Sequence, residues 1–469
     1  MMFKSRHIIT IRQIFSIIAL LGIVSFSMNW ILVIKHDLPR NTDVRVMSSE
    51  AKKELHEIEL RLSEALEHVA VNRTVLLTMV DEAFYPMAIN FFLTCLKPYS
   101  IMNYIILTVN RNTCSHFSKY HMNCFFYKDI ASSETASEYN SRVFNDKMNV
   151  RTDFVLQALQ MNYSVLHTDL DEYYFSNPFL AIDCPRSSCD IAPLMDSSSA
   201  YNAGFLFINP SKASISVYQK TKNKAMRKPN IVDQFLLNDA MNEQLQEAGG
   251  LKIKRLAEDK FQCGLSYYEE GRRYFFDSAP GCDDCIVVHN NWIVSMAAKV
   301  YRAKEMHQWM YDGEDRYYTS TNRKYMTITY NVIGDEISGM TDALAISSIL
   351  NRTLILPAFK CPEKKSGELC PLNSVLRIKN FDDVFGYREH SFLSHPLVPE
   401  SVRSSSIVTS FPAAQSDVEI SQHLRHITQS VLHINSAQSA FSGFTDPQKQ
   451  LLFNDKVKRG IVRAGYRQL

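Results

Sequence analysis

The chain has no surplus of charge. Its 469 residues carry 51 Lys plus Arg against 49 Asp plus Glu, a formal net charge of +2. The basic excess that holds a protein on a phosphate backbone is missing, so no nucleic-acid partner is expected. Cysteine is sparse: ten residues cannot build a small disulfide scaffold, although they suffice for several bridges. Long apolar runs are absent but for one, which excludes a polytopic channel or transporter. No HExxH motif or comparable His/Asp cluster occurs, which disfavours a metal-dependent hydrolase. With 46% apolar and 21% charged residues, neither disorder nor a fibrous state is the main form. The length accommodates about three domains.

The one long apolar run is Ile14 to Ile34, 21 residues without a charge. At 1.5 Å per residue it spans about 30 Å, the thickness of a hydrocarbon core. Lys4, Arg6 and Arg12 precede it, and Lys35, Asp37 and Arg40 follow. The basic residues on the short side place residues 1–13 in the cytoplasm as a tail and orient the rest into a lumen. The run is longer than the about 7–15 residues of a signal-peptide core, and no A-x-A site follows, so 14–34 reads as a signal anchor. A lumenal chain agrees with three glycosylation triplets, at Asn72, Asn162 and Asn351. It also agrees with cysteines lying close in sequence: Cys114 and Cys124, Cys184 and Cys189, Cys282 and Cys285, Cys361 and Cys370. The competing reading of Cys282-Asp-Asp-Cys285 is half of a zinc site, but no second CxxC or His pair stands near it.

Residues 35–72 form a lumenal stem. Within it Leu55, Ile58, Leu62, Ala65 and Val69 recur at helical spacing from Ser48 onward. This stripe either pairs the stems of two chains into a homodimer or packs on its own domain. From residue 73 the texture changes. Thr74–Val80, Asn103–Val109 and Ser164–Thr168 are short β-branched runs with the look of buried strands. Ala83–Leu96 and Val150–Leu159 between them have helical spacing. This alternation predicts a mostly parallel α/β sheet over 73–312, with ligands at the carboxyl edge of its strands. After residue 312 a strand from Tyr325, a helix over 342–350 and a strand near Leu354 start a small accessory α/β region, 313–469.

The third strand runs into His167-Thr168-Asp169-Leu170-Asp171-Glu172. On an extended strand Asp169 and Asp171 share a face, with Leu170 turned into the sheet. Two carboxylates there repel each other unless a divalent cation relieves them, and Mg²⁺ and Mn²⁺ favour oxygen ligands. Three later segments complete a pattern. Tyr201 to Asn209 (YNAGFLFIN) reads as a glycine-containing turn feeding a strand. Asp233-Gln234-Phe235-Leu236-Leu237-Asn238 opens a helix. Val288-His289-Asn290-Asn291-Trp292 follows an apolar run, with Lys299 and Arg302 downstream.

The set of strand-DxD, N-A-G-F, D-Q-x-x-L-N and H-N-N-W over about residues 73–312 resembles nucleotide-diphospho-sugar glycosyltransferases of the GT-A type. More narrowly it resembles glycosyltransferase family seventy-seven, which includes galactosyl-, arabinosyl- and xylosyltransferases. The resemblance implies a Rossmann-like catalytic domain and a Mn²⁺ or Mg²⁺ ion held by Asp169, Asp171 and His289. It implies a UDP-sugar donor bound by Thr78, Asp81 and Tyr85 at the base, by Asp169 at the ribose and diphosphate, by Asn202, Ala203 and Gly204 at the sugar, and by Lys299 at the leaving group. Asp233 and Gln234 would face the transferred sugar as the catalytic pair. Transfer to a glycan or glycoprotein in the Golgi lumen, with retention, follows from the same likeness. One departure is visible: relatives tend to have glycine shortly after H-N-N-W, where this chain has Val294-Ser295.

Each residue also has a plainer reading. Asp169 and Asp171 could be a solvated acidic turn, His289 a core histidine, Asp233 a helix cap, and Lys299 and Arg302 an exposed helix face. Trp292 and Tyr173-Tyr174-Phe175 fit packing. The C-terminal βαβ start is similar to fucosyltransferase-like segments, with His423-Leu424-Arg425 a poor match to their H-x-R element. The alternative function is a noncatalytic lumenal scaffold or glycan-binding protein that keeps the fold.

Overall fold

The computed structural model describes residues 61–127, 137, 139–270, 284–328, 336–360, 369–370, 372–410, 414–435 and 439–463. The expected anchor 14–34 and the stem as far as residue 60 lie outside the described residues. Among the described residues no helix is long and apolar enough to cross a membrane.

The β-branched runs form the strands that their patterning predicts. Strands β1 (Thr74–Val80), β2 (Tyr104–Thr108), β3 (Cys124–Phe126) and β4 (Ser164–Thr168) lie parallel. A hairpin of β6 (Ile191–Ser197) and β7 (Ala200–Ile208) closes the sheet antiparallel, in the order β3-β2-β1-β4-β7-β6. Between them, β5 (Glu172–Tyr174) pairs with β9 (Val287–His289), and β9 with β8 (Phe261–Gln262), in a small second sheet. Both faces of the large sheet are covered, as near-continuous apolar strands require. One face packs against the helices α2 (Arg142–Gln160), α3 (Lys212–Arg227) and α4 (Asp233–Gln246) through Phe154, Leu159, Val217 and Met241. The other packs against α1 (Tyr85–Phe91) through Met87, Ile89 and Phe91.

Three local expectations change. The segment 201–209 is not a turn feeding a strand. Residues 201–208 lie within β7 and Asn209 directly follows it, and the chain reverses earlier, between Ser197 and Ala200. Helix α2 starts at Arg142, two turns before the apolar spacing begins, because Ser141 caps it by accepting from Phe144 N. Asp169 and Asp171 are not on an extended strand: β4 ends at Thr168, β5 starts at Glu172, and the acidic pair occupies the link between two sheets. The described end of the stem stripe, helical over 61–69, packs on its own domain. Leu62 and Leu66 are fully buried in the core beneath the sheet, with Ala65 and Val69 beside them.

The C-terminal region carries a second, all-parallel sheet: β10 (Tyr325–Ile328), β11 (Thr353–Ile355), β12 (Tyr387–Arg388), β13 (Ser406–Thr409) and β14 (Val431–Ile434), in the order β12-β11-β10-β14-β13. Helix α6 (Glu336–Ile349) connects β10 to β11. Residues 58–469 form one compact unit. The joint is helix α5 (Met296–Glu305). Its Ala298 and Tyr301 sit in the core of the second sheet with Met326, Leu354 and Leu432, whereas Ala303 sits in the core of the first. Polar contacts reinforce the joint. Ser391 Oγ donates to the carbonyl of Lys304 at 3.2 Å, and Tyr317 Oη donates to Glu389 Oε2 at 2.6 Å. His395 stacks on Tyr318 at 3.8 Å and donates from Nε2 to the carbonyl of Trp309. Its Nδ1 accepts from Leu397 N, which requires the neutral ring, and burial pushes its pKa down to about 4.

Disulfides join Cys114 to Cys124 and Cys184 to Cys189. Cys285 is also disulfide-bonded, so its thiol is not available for the zinc half-site considered from sequence. Cys282 and Cys361 lie outside the described residues.

Candidate functional site

The site forms where the two sheets of the N-terminal half meet. Residues 169–171 leave the carboxyl end of β4, and the antiparallel pairing of β5 with β9 sets Glu172 directly opposite His289. Asp169, Asp171 and His289 thereby offer ligand atoms that all lie within 4.8 Å of one another. His289 Nε2 is 3.5 Å from Asp171 Oδ1 and 4.0 Å from Asp169 Oδ2. Strand β7 closes the floor: Asp169 N donates to the carbonyl of Gly204 at 2.7 Å. Glycine is needed there for space. A Cβ at Gly204 would come within 2.5 Å of His289 Cε1 and 2.7 Å of Asp169 Oδ2, filling the cradle these groups form. Two carboxylates and an imidazole suit a divalent ion such as Mn²⁺.

Cations surround the cradle. Lys299, on α5, donates to Asp171 Oδ2 at 2.6 Å, so it is not part of a solvated face, and neither is Arg302, which is 1% exposed. Burial alone would raise the Asp171 carboxyl, yet Lys299 and His289 bring it down to about 2. Burial alone would depress His289, but Glu172, Asp171 and Asp169 raise its imidazole to about 9. Arg151, on α2, forks between two acids. Its Nη1 donates to Asp169 Oδ1 at 2.5 Å, and its Nη2 to Asp233 Oδ2. Against the opposing effect of burial, this guanidinium holds the Asp169 carboxyl well below the usual range. Asp233 is therefore not a cap: it is the first residue of α4, and Val232 occupies the cap position.

A second cluster forms the wall beside the cradle. Gln234 Oε1 accepts from Ala203 N at 3.0 Å, and Asn202 Oδ1 accepts from Gly204 N at 2.6 Å. Asp196, near the end of β6, gathers three motif residues, accepting from Asn202 Nδ2, Gln234 Nε2 and Asn291 Nδ2 at 2.9, 3.1 and 2.7 Å. Sequence reasoning missed Arg151, Asp196 and Glu172. The first carried a faint signal, a basic residue four after Lys147 on an otherwise buried helix face. Asp196 and Glu172 carried none.

The three residues matched to the nucleotide base stand apart from this cluster, at and beyond the end of β1. Thr78 is buried, and Asp81 accepts from buried Lys147 Nζ at 2.5 Å. Tyr85 stacks on His116 at 3.9 Å, and His116 meets Glu82 at 2.7 Å. Lys147 and Arg151 are one helical turn apart on α2, so one helix face serves both strand ends. His423 and Arg425 are exposed on and beside a short helix.

The position where relatives tend to have glycine is informative. Ser295 has φ +83° and ψ 146°, a backbone region that glycine adopts freely and other residues enter at a cost of about 1–3 kcal/mol. The glycine-like backbone is thus kept, and the serine caps α5 by accepting from Ala298 N. Losing a serine cap to glycine costs only a few tenths of a kcal/mol. Ser295→Gly is therefore expected to stabilise the protein by about 1 kcal/mol in urea unfolding. A loss of stability would mean that the cap outweighs the strain.

With this geometry in place, comparison with known proteins is direct. Residues 100–303 match the family model for nucleotide-diphospho-sugar transferases. An Arabidopsis thaliana arabinosyltransferase, XEG113, is 22% identical over 415 residues, covering 69% of this chain and 63% of its own. UDP-D-xylose:L-fucose alpha-1,3-D-xylosyltransferase 3 of Arabidopsis thaliana is 21% identical over 277 residues, covering 54% of this chain and 70% of its own. Among solved structures, the glycosyltransferase GlyE of Streptococcus pneumoniae TIGR4 overlaps 82% of this chain and 99% of its own at 14% identity, with a TM-score of 0.34. A TM-score so low decides nothing. Over residues 100–303 the chain is thus similar to nucleotide-diphospho-sugar transferases, and it resembles the glycosyltransferases of family seventy-seven.

Proposed function

We propose that the protein is a metal-dependent glycosyltransferase that moves a sugar of the galactose, xylose or arabinose class from a UDP-sugar to a glycan or glycoprotein acceptor, with retention. The observation that carries this reading is the convergence of Asp169, Asp171 and His289 around Gly204. These three residues hold Mn²⁺ or Mg²⁺. The bound ion supplies positive charge where the departing diphosphate becomes more negative. Lys299, already aimed into the site, binds the same diphosphate as it leaves and stabilises its charge by preorganisation. Asn202, Ala203 and Gly204 shape the sugar pocket, and Thr78, Asp81 and Tyr85 receive the nucleotide base. Asp233 is clamped by Arg151 and orients the sugar together with Gln234. The acceptor hydroxyl attacks from the face the diphosphate vacates.

The disulfides support an oxidising compartment, in line with a Golgi-lumenal domain on a single-pass type II anchor at 14–34. Asn72, Asn162 and Asn351, all exposed, are its glycosylation sites, and 313–469 is its accessory region.

The test is a melting experiment with UDP and MnCl2, alongside a screen of UDP-sugars for donor hydrolysis. Ligand at a hundredfold excess over Kd stabilises the folded state by about 2.7 kcal/mol. The wild type should gain several degrees in Tm and hydrolyse at least one donor. Asp169→Ala should lose both effects. A wild type indifferent to UDP and Mn²⁺ would leave the noncatalytic scaffold as the better account.

A further inference from the structure

Glu172 follows the acidic pair directly, yet no role above uses it. Its side chain is 0% exposed. Neither carboxylate oxygen has a hydrogen bond, and burial pushes the carboxyl well up from its usual range, against the pull of the His289 cation. Such a group persists only for something it does through its field or its contact. Its contact is with one cationic side chain among the described residues: Oε1 lies 3.1 Å from Nδ1 of His289, its cross-strand partner. The opposite ring nitrogen, Nε2, is the one turned toward Asp169 and Asp171. Nδ1 also lies 3.1 Å from Asn202 Oδ1, a neutral acceptor that fixes the ring but adds no charge.

We propose that Glu172 is a positioning residue for the cation site. It favours the proton of His289 on Nδ1 through its charge 3.1 Å away, with Asn202 Oδ1 as the hydrogen-bond acceptor, so that Nε2 presents its lone pair to a divalent ion. Ionised beside a bound divalent cation, it makes that nitrogen a stronger ligand. The idea rests on the metal reading given above and adds to it a residue that touches neither donor nor ion. Carboxylates placed behind ligating histidines act in this way, and removing one typically weakens metal binding 10–100-fold.

The experiment titrates MnCl2 into the full chain with UDP present, by calorimetry and by the signal of free Mn²⁺ in electron paramagnetic resonance. The proteins are the wild type, Glu172→Gln, His289→Ala and the double variant. Glu172→Gln keeps the shape and removes the charge. It should raise the Kd for Mn²⁺ about 10–100-fold without lowering Tm in EDTA, a pattern that a merely structural role does not produce. In the His289→Ala background the same change should have no further effect. Glu172→Asp, which keeps the charge but withdraws it, should fall between wild type and Gln, and serves if the Gln variant does not fold. Unaltered Mn²⁺ affinity in Glu172→Gln overturns the proposal and leaves the metal reading standing. So does a loss that persists undiminished without His289. A wild type that takes up no Mn²⁺ overturns both.

Discussion

Arg151→Ala should destabilise the protein by about 3 kcal/mol and lower kcat/KM by two to three orders of magnitude. The side chain is 11% exposed and forms ion pairs with Asp169 and Asp233 at once. Removing one partner of a buried pair leaves its acids uncompensated, at a cost of about 3–5 kcal/mol. The lower end applies because Asp169 is 31% exposed. The loss of activity follows from releasing Asp233, since a preorganised group that drifts off its target typically costs 10²–10³ in rate. Arg151→Lys should recover little, because an ammonium cannot fork between two carboxylates. Adding Asp233→Asn to Arg151→Ala should restore part of the stability and none of the activity. The deficit is also pH-dependent. Asp169 has a folded-state pKa held below its unfolded value, so its share of stability is present above about pH 4 and is lost as pH falls further. Wild type and variant should therefore converge in acid. Urea midpoints at pH 7 and pH 3.5 measure this, and a gap that stays constant, or a fully active variant, would sink the account.

The second large effect concerns the C-terminal region. Truncation after residue 312 is expected to yield no soluble folded domain. Tyr301 and Trp309 are 3% and 4% exposed in the intact chain, and a buried aromatic side chain contributes about 1.5–3 kcal/mol. Tyr301 packs against the second sheet, and Trp309 bonds through its carbonyl to His395. A cut at 312 removes the second-sheet packing of Tyr301 and the His395 bond at Trp309, from a protein whose whole margin is about 5–15 kcal/mol. The same helix, α5, carries Lys299 to Asp171, so the accessory region underlies the site as well as the fold. Expression of residues 58–312 followed by circular dichroism checks this, and a cooperative melt close to that of the intact chain would refute it.

The site was legible where local chemistry is confined to a short stretch. D-x-D at a strand end, N-A-G, D-Q and the late His289 each stand out by residue type, and all fall within one connected cluster. The glycine in N-A-G was misplaced in a turn because a Gly inside a strand looks like a break until the side chains crowding it are known. Ser295 looked like a lost glycine, although the backbone there keeps a glycine-like angle. Arg151, with only a faint signal, and Asp196 and Glu172, with none, were missed because the partners that give them a place in the site lie mostly far off in sequence. Arg151 lies 82 residues from Asp233, and Glu172 reaches His289 only through strand pairing.

By itself, the sequence determined the alternation of buried strands and helices, the acidic pair with its later histidine, and the closely spaced cysteines, because each is written in neighbouring residues and their periodicity. Tertiary structure alone decided that the acids meet the histidine around a glycine, that one arginine joins Asp169 to Asp233, that the described end of the stem helix packs on its own domain, and that the C-terminal region is joined to α5. Those outcomes depend on strand order and register, which bring together side chains that the chain keeps tens or hundreds of residues apart.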